Sequence, residues 1–292
     1  MSAIEREIST QPADWRRAAE VAAQHAAVLP APGERVVAIG CGTSLHMAQA
    51  YAAARESRGQ GETDAYPASE YPSGRSYDRV VVISRSGTTT EVIRLMDALV
   101  GGAQVLAVTG VPDSPVARRA TAAVVLDFAD EQSVVQTRFA TTALALLLAG
   151  LGADLESEAR AAEAALSGEL PQGLERFGRF AFLGAGWTVG LASEAALKLR
   201  EAAGAWSEAY PAMEYRHGPI SANSADTLVW PVGPVDASVL EDAVRAGSTV
   251  AHNGSSPLAT LVLAQRAAVA LARSRDLDPD HPHSLTRSVV LP

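Results

Sequence analysis

Arg35-Val36-Val37-Ala38-Ile39-Gly40-Cys41-Gly42-Thr43-Ser44, running on into Leu45 to Arg55, decides the fold. The apolar run is short and rich in branched residues, as a buried strand requires. Two glycines then permit a tight turn, and an alanine-rich stretch of helical character follows. The same order returns at Phe180-Ala181-Phe182-Leu183, Gly184-Ala185-Gly186-Trp187-Thr188 and a helical stretch through Leu199. Gly40 and Gly184, Gly42 and Gly186, and Ala48 and Ala192 are each 144 residues apart, the spacing of an internal duplication. Asp78-Arg79-Val80-Val81-Val82-Ile83 has a counterpart in Asp226-Thr227-Leu228-Val229-Trp230, offset by 148 residues.

Further strands are read at Gln104 to Thr109 and Ala123 to Leu126, with helices at Ala18 to Leu29 and Thr90 to Leu99. Strand and helix alternate throughout, which predicts an α/β protein whose two parallel sheets are each covered by helices on both faces. Leu155 to Leu170 reads as the amphipathic helix joining the halves, so the expected lobes are 1–155 and 156–292. A chain of 292 residues suits two such domains. Hydrophobic residues make up 48% of it and aromatics only 5%, so alanine, valine and leucine must build the cores.

The formal net charge of −9 and the lack of any lysine/arginine run argue against nucleic acid and against an anionic membrane as partners. A small anion remains compatible, because local N–H groups hold a phosphate whatever the distant charge. Cys41 is the single cysteine, which excludes an internal disulfide and every multi-cysteine metal spacing. No signal-like start and no long apolar span are read, and the expected location is cytoplasmic.

Ser84-Arg85-Ser86-Gly87-Thr88-Thr89-Thr90-Glu91 lies where a buried strand hands over to a helix. Ligands of open parallel sheets bind beyond the carboxyl ends of the strands. Hydroxyls, a glycine and a helix N-terminus there suit one phosphate, and Arg85 adds the option of a charge-assisted bond. An ordinary capped loop fits the same residues. The loop lacks the lysine of a nucleotide P-loop, and neither Gly-x-Gly turn has the third glycine of a dinucleotide site. Thr43 and Ser44 put hydroxyls at a neighbouring strand end, whereas Pro231-Val232-Gly233-Pro234 in the second half has none, which leaves one phosphate site per chain.

Glu194, Lys198 and Glu201 share one face of a helix, which solvated ion pairs explain as well as chemistry does. His217, before Gly218-Pro219, is either a structural histidine or an acid–base group.

These stretches together resemble a family. Glu7-Ile8 with Gln11-Pro12, Cys41-Gly42-Thr43-Ser44, the Ser-x-Ser-Gly-x-Thr loop, Ala196-Leu197-Lys198-Leu199 with Glu201, and Glu208-Ala209-Tyr210 with His217-Gly218-Pro219 are similar to the sugar-isomerase (SIS) module. The likeness is to that module of glutamine–fructose-6-phosphate aminotransferase and to its glutaminase-free deaminase and deglycase relatives. It implies two tandem flavodoxin-like SIS lobes and a small phosphosugar as the bound partner. Phosphate would be held by Ser44, Ser84, Ser86 and Thr89 with Arg85. Cys41, Gly42, Thr43 and Arg287 would lie by the sugar.

The resemblance makes Glu201 the proton shuttle, with Lys198 beside it. It makes His217 the ring-opening group, contributed to the partner's site in a homodimer. It implies no cofactor and no metal, and the Asp278 to His283 stretch reads as a solvated loop. Met1-Ser2 offers no terminal cysteine nucleophile, and Arg287 stands where the synthases carry a Schiff-base lysine. An arginine stays protonated and does not form that imine. The expectation is therefore isomerisation or deamination of a hexose or amino-hexose 6-phosphate rather than glutamine-dependent synthesis. Deglycation of a fructosamine phosphate, and a phosphosugar sensor without catalysis, are the alternatives.

Overall fold

The structure is a computed structural model that describes residues 1–99, 103–251 and 256–291. In chain order its regular elements are α1 (Ala3–Gln24), β1 (Val36–Gly40), α2 (Thr43–Ser57), β2 (Thr63–Pro67), β3 (Arg79–Ser84), α3 (Thr90–Ala98), β4 (Gln104–Thr109), α4 (Pro115–Arg119), β5 (Ala122–Val125) and α5 (Arg138–Gly150). There follow α6 (Leu155–Ser167), β6 (Arg179–Gly184), α7 (Thr188–Ala203), β7 (Trp206–Pro211), β8 (Thr227–Pro231), α8 (Ala237–Arg245), β9 (Thr249–Val250) and α9 (Pro257–Ser274).

Two parallel sheets result, ordered β2-β1-β3-β4-β5 and β7-β6-β8-β9. In the first, Val37 and Ile39 pair with Val80 and Val82 and form a core with Val92, Leu95 and Met96 of α3 and Val116 of α4. The intervening Val36, Ala38 and Val81 are fully buried as well, so both faces are covered. In the second sheet Ala181, Leu183 and Val229 pack with Val239 and Ala243 of α8. Phe182 and Trp230 stack with ring centroids 5.6 Å apart. The α/β class and the helix-covered parallel sheets are as the alternation indicated. Sequence reading passed over β2 and β7, both edge strands, whose residues are only partly buried and carry polar side chains.

The strand orders put a reversal between β1 and β3, and another between β6 and β8. At such a switch point the two following helices leave on opposite sides and open a crevice beyond the strand ends. The turns entering α2 and α7 are built alike. Gly42 and Gly186 have φ +55 and +56. A Cβ on Gly40 would lie 2.4 Å from the Ser44 carbonyl carbon, and one on Gly184 would lie 2.4 Å from the Thr188 carbonyl oxygen. Gly40→Ala is therefore expected to force backbone apart and to cost about 1–3 kcal/mol or more, read as a lower denaturant midpoint. No such clash meets a Cβ at Gly42, where only the positive φ penalises alanine, by about 1–2 kcal/mol.

Two compact units contain these sheets. The five-stranded unit is formed by Ala13–Gln132, Gln136–Glu156 and the chain from Thr286 onward. The four-stranded unit comprises Met1–Pro12, Ser133–Val135 and Ser157–Leu285. This interleaving differs from a consecutive division into 1–155 and 156–292. Its causes are local: Asp280 accepts from the N–H groups of Ala3 and Ile4, and buried Glu7 accepts from Ser133, which ties the first helical turns to the four-stranded unit. The tail pairs instead with the start of α3, as when Thr90 N–H donates to the Val289 carbonyl at 3.1 Å.

α1 begins at Ala3, far earlier than the expected start at Ala18, and ends at Gln24 rather than Leu29. Pro12 lies inside this helix. A proline inside a helix removes the N–H that would bond the carbonyl four residues back. That carbonyl is Ile8, and the Gln11 side-chain amide donates to it at 3.1 Å, so the Gln11-Pro12 pair repairs its own defect.

Candidate functional site

The five-stranded unit carries a small pocket at its switch point. Its lining includes Cys41 and Ser44 from the turn after β1, Ser84, Arg85, Ser86 and Thr89 from the loop after β3, and Gln136 and Arg287. Ser44 is 3% exposed and Ser84 4%, while Thr89 is partly buried as the residue before α3. Among the described residues, none of these three hydroxyls has a protein hydrogen-bond partner. Their oxygens are therefore open to a ligand in the pocket. They stand beside the N-terminal turns of α2 and α3, where free N–H groups and the helix dipole favour an anion.

The other loop hydroxyls are already engaged. Thr88 Oγ1 lies 2.9 Å from both Ser86 Oγ and Ser288 Oγ, and Ser86 Oγ donates to Ser288 at 3.1 Å. Ser86 thus lines the pocket while also clasping the tail. Arg85 is similarly occupied: its side chain is 2% exposed, pairs with fully buried Glu131 at 3.4 Å, and donates to the Arg287 carbonyl at 2.9 Å. Burial pulls its guanidinium below the ordinary arginine range, with the Glu131 charge opposing. Glu131 also accepts from the N–H groups of Thr137 and Arg138, at 2.6 and 2.8 Å, and so caps α5.

Arg287 reaches the same turn through the Glu131 carbonyl and the Asp130 carboxylate. Arg85 and Arg287 both line the pocket, and the guanidinium of each is paired with an acid. Thr43 is buried, Gly42 supplies the left-handed turn, and Cys41 is a half-buried thiol. Burial pushes the Cys41 thiol up, and the Glu91 charge adds to this, against a hydrogen bond from the Ala68 backbone. Of the expected phosphate and sugar residues, all but Gly42 and Thr43 line this one pocket.

The matching turn of the four-stranded unit closes on itself. Thr188 Oγ1 accepts from Ala185 N–H at 2.8 Å and donates to the Ala185 carbonyl at 3.0 Å. The chain leaving β8 there, Pro231-Val232-Gly233-Pro234, brings no hydroxyl.

The four-stranded unit instead carries a buried charge cluster on α7. Lys198 Nζ lies 2.5 Å from Glu201 Oε2 and 3.1 Å from Glu194 Oε1. Lys198 and Glu194 are each 1% exposed and Glu201 19%, so these are not the solvated pairs that spacing alone allowed. Burial works against the charged Lys198, but the charges and hydrogen bonds of Glu194 and Glu201 outweigh it and hold its pKa above the ordinary lysine value. Glu201 is the one member with a route to solvent. His217 ends the 3-10 turn Met213–His217 and is exposed.

Sequence reading missed Glu131, Gln136, Thr88 and Ser288. Thr88 was legible as another hydroxyl of the loop. The other three come from chain distant in sequence, and no spacing signalled them. His281 pairs with Asp278 at the surface, and among the described residues no group of three potential ligands is placed to hold a metal ion.

A parallel α/β sheet with a hydroxyl-lined pocket at its switch point defines a recognisable class. Residues 31–150 match the SIS domain, so the chain carries an SIS domain over that stretch. Among curated proteins it is 34% identical over 206 residues to the glutamine–fructose-6-phosphate aminotransferase (isomerizing) of Sulfurisphaera tokodaii, covering 64% of this chain and 34% of that one. It is 29% identical over 305 residues to the protein of that name from Methanothermobacter thermautotrophicus, covering 88% and 52%. The chain thus spans between a third and about half of the length of these relatives. Among solved structures, glucosamine-6-phosphate deaminase from Thermotoga maritima superposes with a TM-score of 0.87 at 24% identity, covering 99% of this chain and all of that one. That likeness is one of fold. Among the described residues no helix is long and apolar enough to cross a membrane.

Proposed function

We propose that the protein is a phosphosugar isomerase/deaminase acting on a hexose 6-phosphate or amino-hexose 6-phosphate. The observation that carries this reading is the trio of partnerless hydroxyls, Ser44, Ser84 and Thr89, in one pocket between two helix N-termini. A phosphate offers acceptors for all three. The names borne by the relatives and by the superposed deaminase point to the same substrate class.

Phosphate binding anchors the substrate, and His217 of a second subunit opens the sugar ring by proton transfer at the ring oxygen. The Glu201 carboxylate takes the C2 proton of the open-chain aldose, leaving a C1–C2 enediolate or its amino equivalent with the charge on O1. The C2 hydroxyl or amine passes one proton to O1, Glu201 returns its proton to C1, and a hydroxyl at C2 becomes the ketose carbonyl. With an amino group at C2 the product is an imine. Water adds to its carbon and ammonia departs, giving the ketose phosphate. No protein amine takes part, in keeping with arginine at position 287. Lys198 holds Glu201 in place through the 2.5 Å pair.

Ser44→Ala and Ser84→Ala are each expected to weaken binding of inorganic phosphate by about tenfold or more, since a hydrogen bond to a charged group is lost. The melting temperature without ligand should hardly move, because no protein bond is broken. Unchanged phosphate affinity in both variants, measured by titration calorimetry, contradicts the assignment. The role of His217 requires a homodimer, and a monomer in sedimentation at assay concentrations removes it.

A further inference from the structure

One residue of the phosphate pocket has no place in the roles assigned so far. Gln136 precedes the Thr137-Arg138 turn that opens α5 and lines the pocket with Ser44, Ser84 and Thr89. Its Oε1 is buried and, among the described residues, without a hydrogen-bond partner. An amide oxygen only accepts hydrogen bonds. A phosphate dianion likewise has acceptors only, so it cannot satisfy this atom, and a carbonyl dipole aimed at it would repel it. Arg85 and Arg287, each paired with an acid, line the same pocket. What is missing beside Oε1 is a donor.

We infer that Gln136 is a specificity-determining residue whose Oε1 accepts a hydrogen bond from an O–H or N–H group on the carbon skeleton of the bound phosphosugar. The inference rests on the phosphosugar reading and deepens it. The pocket then reads two features: an anion through the serine and threonine hydroxyls, and a donor on the skeleton through Gln136. A site that leaves a buried polar group unpaired discriminates strongly against a ligand that lacks the matching group. Inorganic phosphate is such a ligand.

The test uses the full chain and two variants, Gln136→Met, which keeps length and removes the amide, and Gln136→Ala. Titration calorimetry compares inorganic phosphate with fructose 6-phosphate and glucosamine 6-phosphate. The expected result is a loss of about tenfold in affinity for the tighter of the two sugar phosphates and a change of no more than about twofold for inorganic phosphate. The melting temperature of ligand-free Gln136→Met should equal or exceed that of the wild type, because a buried atom without a partner is removed.

Equal weakening for sugar phosphate and phosphate overturns the inference, because the amide then has turned over and donates to the phosphate. No change for either ligand also overturns it, leaving Gln136 as filler. A clear fall in the melting temperature of both ligand-free variants assigns the amide a structural role and overturns it too. Failure of the wild type to bind any of the three ligands is distinguishable from all of these. It removes the phosphosugar reading itself, and the inference with it.

Discussion

Glu201→Gln is expected to lower turnover of the phosphosugar substrate by about 10²–10⁴-fold while leaving its dissociation constant within a few-fold of wild type. The glutamine keeps the size of the side chain and loses the ability to carry a proton. Binding survives because the groups assigned to the phosphate are Ser44, Ser84 and Thr89, none of which is altered. Exchange of the C2 hydrogen with deuterated solvent isolates the proton transfer, and it should fall in step with turnover. Retained exchange in Glu201→Gln assigns the shuttle to another group. Loss of binding and turnover together makes Glu201 a substrate-holding residue instead. Sensing that persists with no measurable turnover in the wild type favours a phosphosugar-binding protein without catalysis.

Lys198→Met carries the second large effect, and this one appears in stability. Lys198 is the cation between Glu194 and Glu201 and is 1% exposed, as is Glu194. Removing one partner of a buried ion pair leaves the other charge uncompensated and costs about 3–5 kcal/mol. The expected readout is a large drop in the denaturant midpoint, with turnover falling further because Glu201 loses the group that positions it. The pH dependence has a definite sign. A lysine whose folded pKa is raised contributes stability that is fully present below its unfolded pKa and is lost only as pH rises through the folded value. The contribution of Lys198 is therefore constant from neutral to mildly alkaline pH, while Glu194 and Glu201 stay ionised. A wild-type protein that loses this contribution between pH 6 and 9 contradicts the buried pairing, and so does a Lys198→Met variant as stable as the wild type.

Both effects follow from features that the sequence disclosed unequally. Central strands were legible because β1, β3 and β6 are continuous apolar runs buried on both faces, and the glycines after β1 and β6 marked the turns into α2 and α7. Edge strands were not, since Thr63–Pro67 and Trp206–Pro211 each pair on one side only and mix polar with apolar residues. α1 starts at Ala3, before the helix read from Ala18, and carries Pro12 in its interior, where the Gln11 bond to the Ile8 carbonyl makes up for the missing N–H.

The site divides in the same way. Ser44, Ser84 and Thr89 were visible as hydroxyls at strand ends, but only the structure distinguishes them from Ser86 and Thr88, which bond to Ser288 of the tail. Burial of Glu194 and Lys198 was hidden for a physical reason. Charged residues at helical spacing are usually solvated, and nothing in their own helix reveals what packs against them. Arg287 and Gln136 reach the pocket from chain more than 40 residues away from the Ser84 to Thr89 loop, a separation that no local pattern encodes.

The measurement that bears most directly on the function is a panel of hexose and amino-hexose 6-phosphates, each with its unphosphorylated sugar, assayed in parallel for ketose formation and ammonia release. The expected result is turnover of at least one phosphorylated member, by ketose formation with or without ammonia release, and none of its unphosphorylated counterpart. Absence of turnover across the panel, or equal turnover of the sugars without phosphate, contradicts an isomerase/deaminase that holds its substrate by the Ser44, Ser84 and Thr89 hydroxyls.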